Sequence, residues 1–276
     1  MTGPIYGLPF DEYLQLDGLN GSLMSHGRTS MRHMNHEATK RDQKETPAMR
    51  WGKISHAAIL EPERFAVESS IWEGAKRSGN AYKEFVMNAP DPELVITEEE
   101  SDKLSLMQER VCENDMALQL IDETAHEVSF NWNVPNLYGT GKARLDMYRP
   151  SEDHTGGVIC DYKTTADITP YGFWKTAYGQ WYHAKMGWYV HGVEIVTGER
   201  LPVWMIVQEN KAPFDCWVCQ MGPEIVKIGE EEAVAMARQY RASQVCGQFG
   251  GVVDGVVEYE LPAWAYSDKV NMEGLT

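Results

Sequence analysis

Nowhere in these 276 residues do some 18 apolar residues run together, so no membrane-spanning helix is expected. The opening, MTGPIYGLPFDEY, lacks both the basic and the apolar region of a secretory leader. Cysteine is scarce: the 5 residues Cys112, Cys160, Cys216, Cys219 and Cys246 are odd in number and scattered, as in a reducing cytoplasm. Cys216 and Cys219 form a CxxC, but no second pair completes a zinc ribbon. Their odd spacing in a strand-like stretch sends them to opposite faces, which reads as structural. Positive charge is also short, with 25 Lys and Arg against 41 Asp and Glu and a formal net charge of −16. A surface of that sign argues against indiscriminate nucleic-acid binding, so any phosphate contact has to be local. Internal repeats and low-complexity linkers are absent.

What is present is a globular composition, 43% hydrophobic with 9 Trp and 13 Tyr, in a length suited to one large domain. Charge is unevenly distributed. Residues 26–53 hold seven basic side chains (Arg28, Arg32, Lys40, Arg41, Lys44, Arg50, Lys53) against three acidic ones. Residues 91–127 hold twelve acidic side chains against Lys103 and Arg110, which reads as solvated helix surface. Periodicity predicts helices over 22–35, 49–60, 76–89 and 97–121, the last opened by a TEEE capping box. Strands follow from 127, then a Tyr/Trp-rich helix over 168–192. There Tyr178, Tyr182, Lys185 and Tyr189 fall at i, i+4, i+7 and i+11 on one face. A second hairpin spans 202–221 and a last long helix 222–245. Helices alternating with antiparallel hairpins predict an α/β fold with a mixed central sheet flanked by helices.

The chemistry concentrates in residues 142–165, KARLDMYRPSEDHTGGVICDYKTT, two strands around a polar, Gly-containing turn. In the first strand the two-residue period puts Ala143, Leu145 and Met147 on the core face and Asp146 on the polar face. In the second, Asp161 and Lys163 share one face, with Cys160 and Tyr162 on the other. Paired strands let Asp146 and Asp161 converge on one cation with Lys163 beside it. Two carboxylates with backbone carbonyls make a hard oxygen site of the kind Mg²⁺ or Mn²⁺ prefers. A solvated hairpin with a surface Asp–Lys pair is the alternative that the spacing alone leaves open.

Taken in order, WGKISHAAILEPERF, HEVSF, GKARLDMY, VICDYKTT, YHAKMGWYVHG and ENKAPFDCWV resemble the nuclease domain of the exonuclease VIII (RecE) family. More broadly they resemble the RecB-type branch of the PD-(D/E)XK nucleases, over about residues 22–250. The resemblance implies a PD-(D/E)XK core at 49–250, an N-terminal elaboration at 1–48 that contacts the DNA end, and a tail at 251–276. It implies His56, Asp146 and Asp161 as metal ligands with the Tyr162 carbonyl assisting, Lys163 as the catalytic lysine and Glu127 as a further acidic contributor. It implies Ser22 and Arg28 near a 5′ phosphate, and Lys185 and Tyr189 at the DNA.

One residue departs from the pattern. The family shows Gln four residues before the helix tyrosine, and here that place is Lys185, ahead of Tyr189. Glutamine both donates and accepts, whereas lysine is a point charge that only donates, so the hydrogen-bonding scheme cannot carry over unchanged. The activity implied is a Mg²⁺- or Mn²⁺-dependent 5′→3′ exodeoxyribonuclease on double-stranded ends. The partners implied are a ring of like subunits and a single-strand annealing protein, in the cytoplasm of a bacterial or phage-infected cell. An endonuclease on the same core and a catalytically silent DNA-binding subunit are the competing readings.

Overall fold

In a computed structural model the described residues are 3–40, 45–74, 76–135, 139–151 and 156–260. Arg41 and Lys44 of the basic run, hairpin turn residues 152–155 and tail residues 261–276 lie outside them. Helix α1 (Phe10–Gln15) precedes α2 (Gly21–Ser25), a 3-10 turn (His26–Arg28) and α3 (Met31–Thr39). The single helix expected over 22–35 is therefore three pieces. Asn20 caps the first at Leu23 N and Ser30, in extended backbone, caps the last at His33 N, so each start is satisfied separately.

Helix α4 (Pro47–Leu60), capped by Thr46, leads through α5 (Pro62–Glu68) to β1 (Ser70–Trp72), α6 (Asn80–Asn88) and β2 (Val95–Thr97). β1 and β2 form a separate parallel pair. The acidic stretch is likewise two helices, α7 (Glu98–Cys112), with the Thr97–Glu100 capping box, and α8 (Asp115–Asp122). Asn114 caps α8 through Ala117 N and restarts the chain in a new direction.

Strands β3 (Ala125–Asn133), β4 (Thr140–Arg149) and β5 (Val158–Thr165) come next. Helices α9 (Pro170–Gly179) and α10 (Tyr182–Thr197) follow, then β6 (Val203–Glu209), β7 (Cys216–Gln220) and α11 (Pro223–Cys246). The five strands lie in the order β3-β4-β5-β6-β7, with β5 and β6 parallel and every other neighbour antiparallel, so the sheet is mixed as expected. Each face is covered. Val128, Phe130, Leu145 and Ile159 pack towards α10 and α11, and Met147, Cys160, Tyr162 and Ile206 towards α4 and α7. Cys216 and Cys219 do fall on opposite faces of the sheet, each packed against a different apolar cluster. Among the described residues no helix is long and apolar enough to cross a membrane.

Two departures from the sequence reading shape the site. Trp181, buried and left-handed at φ 62°, breaks the expected aromatic helix, so Tyr178 ends α9 at 66% exposure while Tyr182, Lys185 and Tyr189 sit on α10. The four-residue stripe is thus split across two axes. In β4, Ala143 and Leu145 join one core cluster, but Met147 joins the other and Tyr148 returns to the first. The strict alternation slips by one residue at Asp146. Its neighbour across the sheet, Glu127, has φ 57°, an uncommon left-handed backbone for a residue other than Gly or Asn.

Helices α10 and α11 cross so closely that a Cβ on Gly229 would overlap the His183 carbonyl, and one on Gly187 the Glu230 backbone. Gly229→Ala is expected to push the helices apart and cost about 1–3 kcal/mol, read as a lower urea midpoint with an unchanged slope. An unaltered midpoint would show that the crossing gives way freely.

Candidate metal centre

The β4–β5 hairpin pairs only near its turn, at Met147–Cys160, Tyr148–Ile159 and Arg149–Val158. At the next position, Asp146 opposite Asp161, the strands part. The Asp146 carboxylate replaces the missing backbone partner, accepting from Tyr162 N at 3.0 Å. That bond fixes the side chain at the slip in β4 and leaves Asp146 facing α4.

From α4, His56 reaches into the same space. Its Nε2 lies 3.2 Å from Asp146 Oδ2 and its Nδ1 3.4 Å from Glu127 Oε1. Helical spacing puts Gly52 one turn before His56, and the missing side chain there leaves space open above the cluster. Ligand-capable atoms of His56, Glu127 and Asp146 all lie within 4.8 Å of one another. One imidazole nitrogen and two carboxylates form a donor set able to hold a divalent cation, and hard oxygens in the majority suit Mg²⁺ or Mn²⁺.

Asp161 and Lys163 project to the same face of β5, as the period requires. The Lys163 ammonium pairs with Asp161 Oδ2, lies 3.6 Å from Asp146 Oδ2 and donates to the Tyr162 carbonyl at 3.2 Å. Asp161 Oδ2 is closed off from solvent with this ammonium as its charge partner but no hydrogen bond of good geometry. Asp161 therefore stands behind the His56–Glu127–Asp146 cluster. The Tyr162 side chain is core, its hydroxyl donating to Gln208 at 2.6 Å.

The electrostatics follow from burial in a mixed-charge cluster. Burial alone would raise Asp146, yet Lys163 and His56 hold it well below the usual carboxylate range. Burial and the Asp146 charge push Asp161 up to about 6. Burial works against charge on His56 too, but Asp146 and Glu127 raise it to about 9, so a cation arriving there displaces a proton. Lys163 stays charged against its burial because Asp161 and Asp146 flank it.

A cavity of about 730 Å³ opens over the cluster, lined by His56, Glu127, Arg144, Asp146, Lys163 and Tyr182. A second, of about 520 Å³, shares Glu127, Arg144 and Asp146 and extends to Ser22 and Tyr189. Lys185 packs its stem on α2, where a Cβ on Gly21 would stand 3.0 Å from Lys185 Cγ. Its ammonium lies 5.4 Å from the Tyr182 ring centre, with Lys163 5.6 Å from the same ring. Burial and Lys163 push Lys185 down to about 8, and among the described residues no carboxylate pairs with it.

These elements form one sheet with a His–Glu–Asp cluster at a strand kink. The sequence matches the model of a family described as a PDDEXK-like domain of unknown function, DUF3799, over residues 22–245. The chain belongs to the DUF3799 family. A solved structure from Eubacterium rectale, provisionally described as an exonuclease, shares the fold of this DUF3799 chain with a TM-score of 0.55. It is 11% identical, and the match covers 90% of this chain and 92% of that one. A phage-related exonuclease from Haemophilus somnus 129PT is 14% identical over 86% of this chain and 99% of its own, at a TM-score of 0.33. No curated protein sequence matches.

Within the DUF3799 domain, three of the five described residues of the basic run are neutralised by carboxylates. Lys40 pairs with Glu37, Arg50 with Glu100, and Lys53 with Glu45 and Glu93. Arg28 donates to the Gly179 carbonyl at 2.7 Å and stacks over Tyr178. Arg144 is the residue the sequence reading passed over. It pairs with Glu127, donates to the Leu8 carbonyl at 2.6 Å and lines both cavities. The signal was available, because Arg144 lies two residues before Asp146 in one strand.

Proposed function

We propose that this DUF3799 domain is a metal-dependent 5′→3′ exodeoxyribonuclease acting on double-stranded DNA ends, of the RecB-type branch and akin to exonuclease VIII. The observation that carries this is the convergence of His56, Glu127 and Asp146 beside the Asp161–Lys163 pair under one open cavity. When bound, Mg²⁺ or Mn²⁺ supplies Lewis acidity at a phosphoryl oxygen. His56, Glu127 and Asp146 would hold it, with Asp161 and the Tyr162 carbonyl behind them. Lys163 keeps a positive charge where negative charge grows on the phosphoryl group. Arg144, fixed by Glu127 and Leu8, adds a second cation at the rim.

In the same proposal residues 1–48 contact the DNA end through Ser22 and Arg28, residues 49–250 form the core and 251–276 the tail. Like subunits gather in a ring with acidic surface outward, which reconciles a net charge of −16 with DNA binding. A single-strand annealing protein takes the product strand in recombination, in the cytoplasm of a bacterial or phage-infected cell. The experiment uses linear and closed circular duplexes, labelled at either end, with and without a 5′ phosphate. Loss of the linear 5′ label first, with the circle intact, is the expected result. Cleaved circles would make the protein an endonuclease.

Lys185 gives a separate expectation. A half-buried ammonium over a tyrosine ring, with no carboxylate paired to it among the described residues, is short of an anion, and DNA phosphate fits that need. Lys185→Gln should keep turnover while weakening DNA binding and lowering its log–log salt slope by about 0.9. Lys185→Glu should be far worse, because it sets negative charge against phosphate. If KM is equal for the two variants, Lys185 does not meet DNA.

A further inference from the structure

Helix α9 is apolar on two opposite sides. Thr169 caps it through Gly172 N, and Phe173 and Ala177 pack inward with Met205 and Val207. With that side filled, Tyr171, Trp174 and Tyr178 fall at i, i+3 and i+7 on the outer face. They are 78%, 57% and 66% exposed. A single exposed aromatic residue needs no account, but three in line on one helix face mark a binding surface.

The surroundings say what that surface takes. The side chains of Tyr171 and Trp174 have no hydrogen-bond, ion-pair or ring partner among the described residues. Tyr178 is held in place by stacking on His183, ring centres 5.5 Å apart and planes 12° apart. The Arg28 guanidinium lies 5.7 Å from the Tyr178 ring centre, anchored by the Gly179 carbonyl. Lys175 is exposed on the same face and pairs with no carboxylate among the described residues. Residues 170–181 contain no Asp or Glu, in a chain whose net charge is −16. The Glu232 carboxylate that His183 contacts is taken up by that ring and the Trp181 indole, at 3.0 and 2.8 Å. Flat rings beside local positive charge complement a polyanion that carries flat rings of its own. The same helix also reaches the metal centre, because Thr176 and Gln180 line the cavity over the His56–Glu127–Asp146 cluster.

We infer that the Tyr171–Trp174–Tyr178 face of α9 is a stacking platform that holds an unpaired DNA strand beside the catalytic cavity. Bases inside a duplex already stack on one another, so rings on a protein surface find open base faces on a single strand. Stacking is blind to sequence, because every base has a π-face, and Lys175 and Arg28 add backbone contacts that are equally blind. The inference rests on the nuclease reading for the source of the strand, since degrading one strand of a duplex leaves its complement unpaired. The platform itself is tested without cleavage.

The test is the affinity of the full chain for a labelled oligothymidylate, read by fluorescence anisotropy in excess chelator. Leucine keeps apolar bulk but has no π-face, so Trp174→Leu and Tyr171→Leu should each weaken binding by about five- to 150-fold, the range of one base–aromatic stack. Trp174→Phe keeps a ring and should stay close to the wild type. Lys175→Gln should lower the log–log salt slope by about 0.7, whereas Trp174→Leu should leave that slope unchanged. A wild type that does not bind the oligothymidylate, leucine variants that bind it as the wild type does, or Trp174→Phe weakened as much as Trp174→Leu would each overturn the inference. So would leucine variants that lose self-association in sedimentation while keeping their oligothymidylate affinity, which would make the face an interface between copies. The nuclease reading fails separately: binding that depends on these rings, in a protein that releases no nucleotides with Mg²⁺ or Mn²⁺, would refute cleavage and uphold the platform.

Discussion

Lys163→Ala is expected to lower turnover on linear duplex DNA by on the order of 10² or more. The Lys163 ammonium is the one cation bridging Asp161 and Asp146 among the described residues, and it also donates to the Tyr162 carbonyl. Those carboxylates keep it charged where an isolated buried lysine would lose its proton. Alanine leaves the Asp161 carboxylate buried without a partner, so a lower melting temperature should accompany the loss. Asp161, already pushed up to about 6, can take a proton near neutrality, which limits the damage and leaves a native circular dichroism spectrum. Asp161→Ala should be as severe, because it removes the group that orients the lysine. Near-normal turnover in either purified variant would remove the pair from the reaction.

The second large effect is expected on metal affinity. Asp146 takes part in three contacts: with His56, with Lys163 and with Tyr162 N. Asp146→Asn keeps an oxygen that can accept from Tyr162 N and removes the charge, so the strand junction survives while the ligand is lost. Affinity for Mn²⁺, measured by calorimetry without DNA, should fall by on the order of a hundredfold. His56→Ala should behave similarly, whereas Lys185→Gln should leave Mn²⁺ affinity unchanged. Equal affinity in Asp146→Asn and the wild type would place the cation elsewhere.

How much of this was legible in the sequence differs by element. The mixed sheet and the shared face of Asp161 and Lys163 follow from strand periodicity, which depends only on backbone geometry. The approach of His56 did not follow from periodicity, since a lone histidine on an amphipathic helix carries no signal of what packs opposite it. The resemblance supplied it. The slip at Asp146 was hidden because alternation assumes an unbroken strand, and nothing in ARLDMY announces a residue that abandons it. The left-handed Glu127 was equally hidden, for a glutamate is not a residue expected there, and strain of this kind gathers at functional sites.

Helix breaks were missed for a related reason. Asn114 and Ser30 are ordinary polar residues until their side chains are seen accepting from the backbone. Trp181 is an unusual residue for a left-handed turn, held there by burial and by its indole donating to Glu232 at 2.8 Å. With that turn unforeseen, Tyr178 was placed on a face it does not share.

The central claim is that the His56–Glu127–Asp146 cluster binds a cation that the protein needs in order to cleave DNA. The most direct measurement is release of acid-soluble nucleotides from linear duplex DNA by the purified chain, with Mg²⁺ and then with excess chelator. Release with Mg²⁺ that stops on chelation and returns when the metal is restored is the expected result. No release with Mg²⁺ or Mn²⁺, or release that chelation leaves untouched, would contradict it.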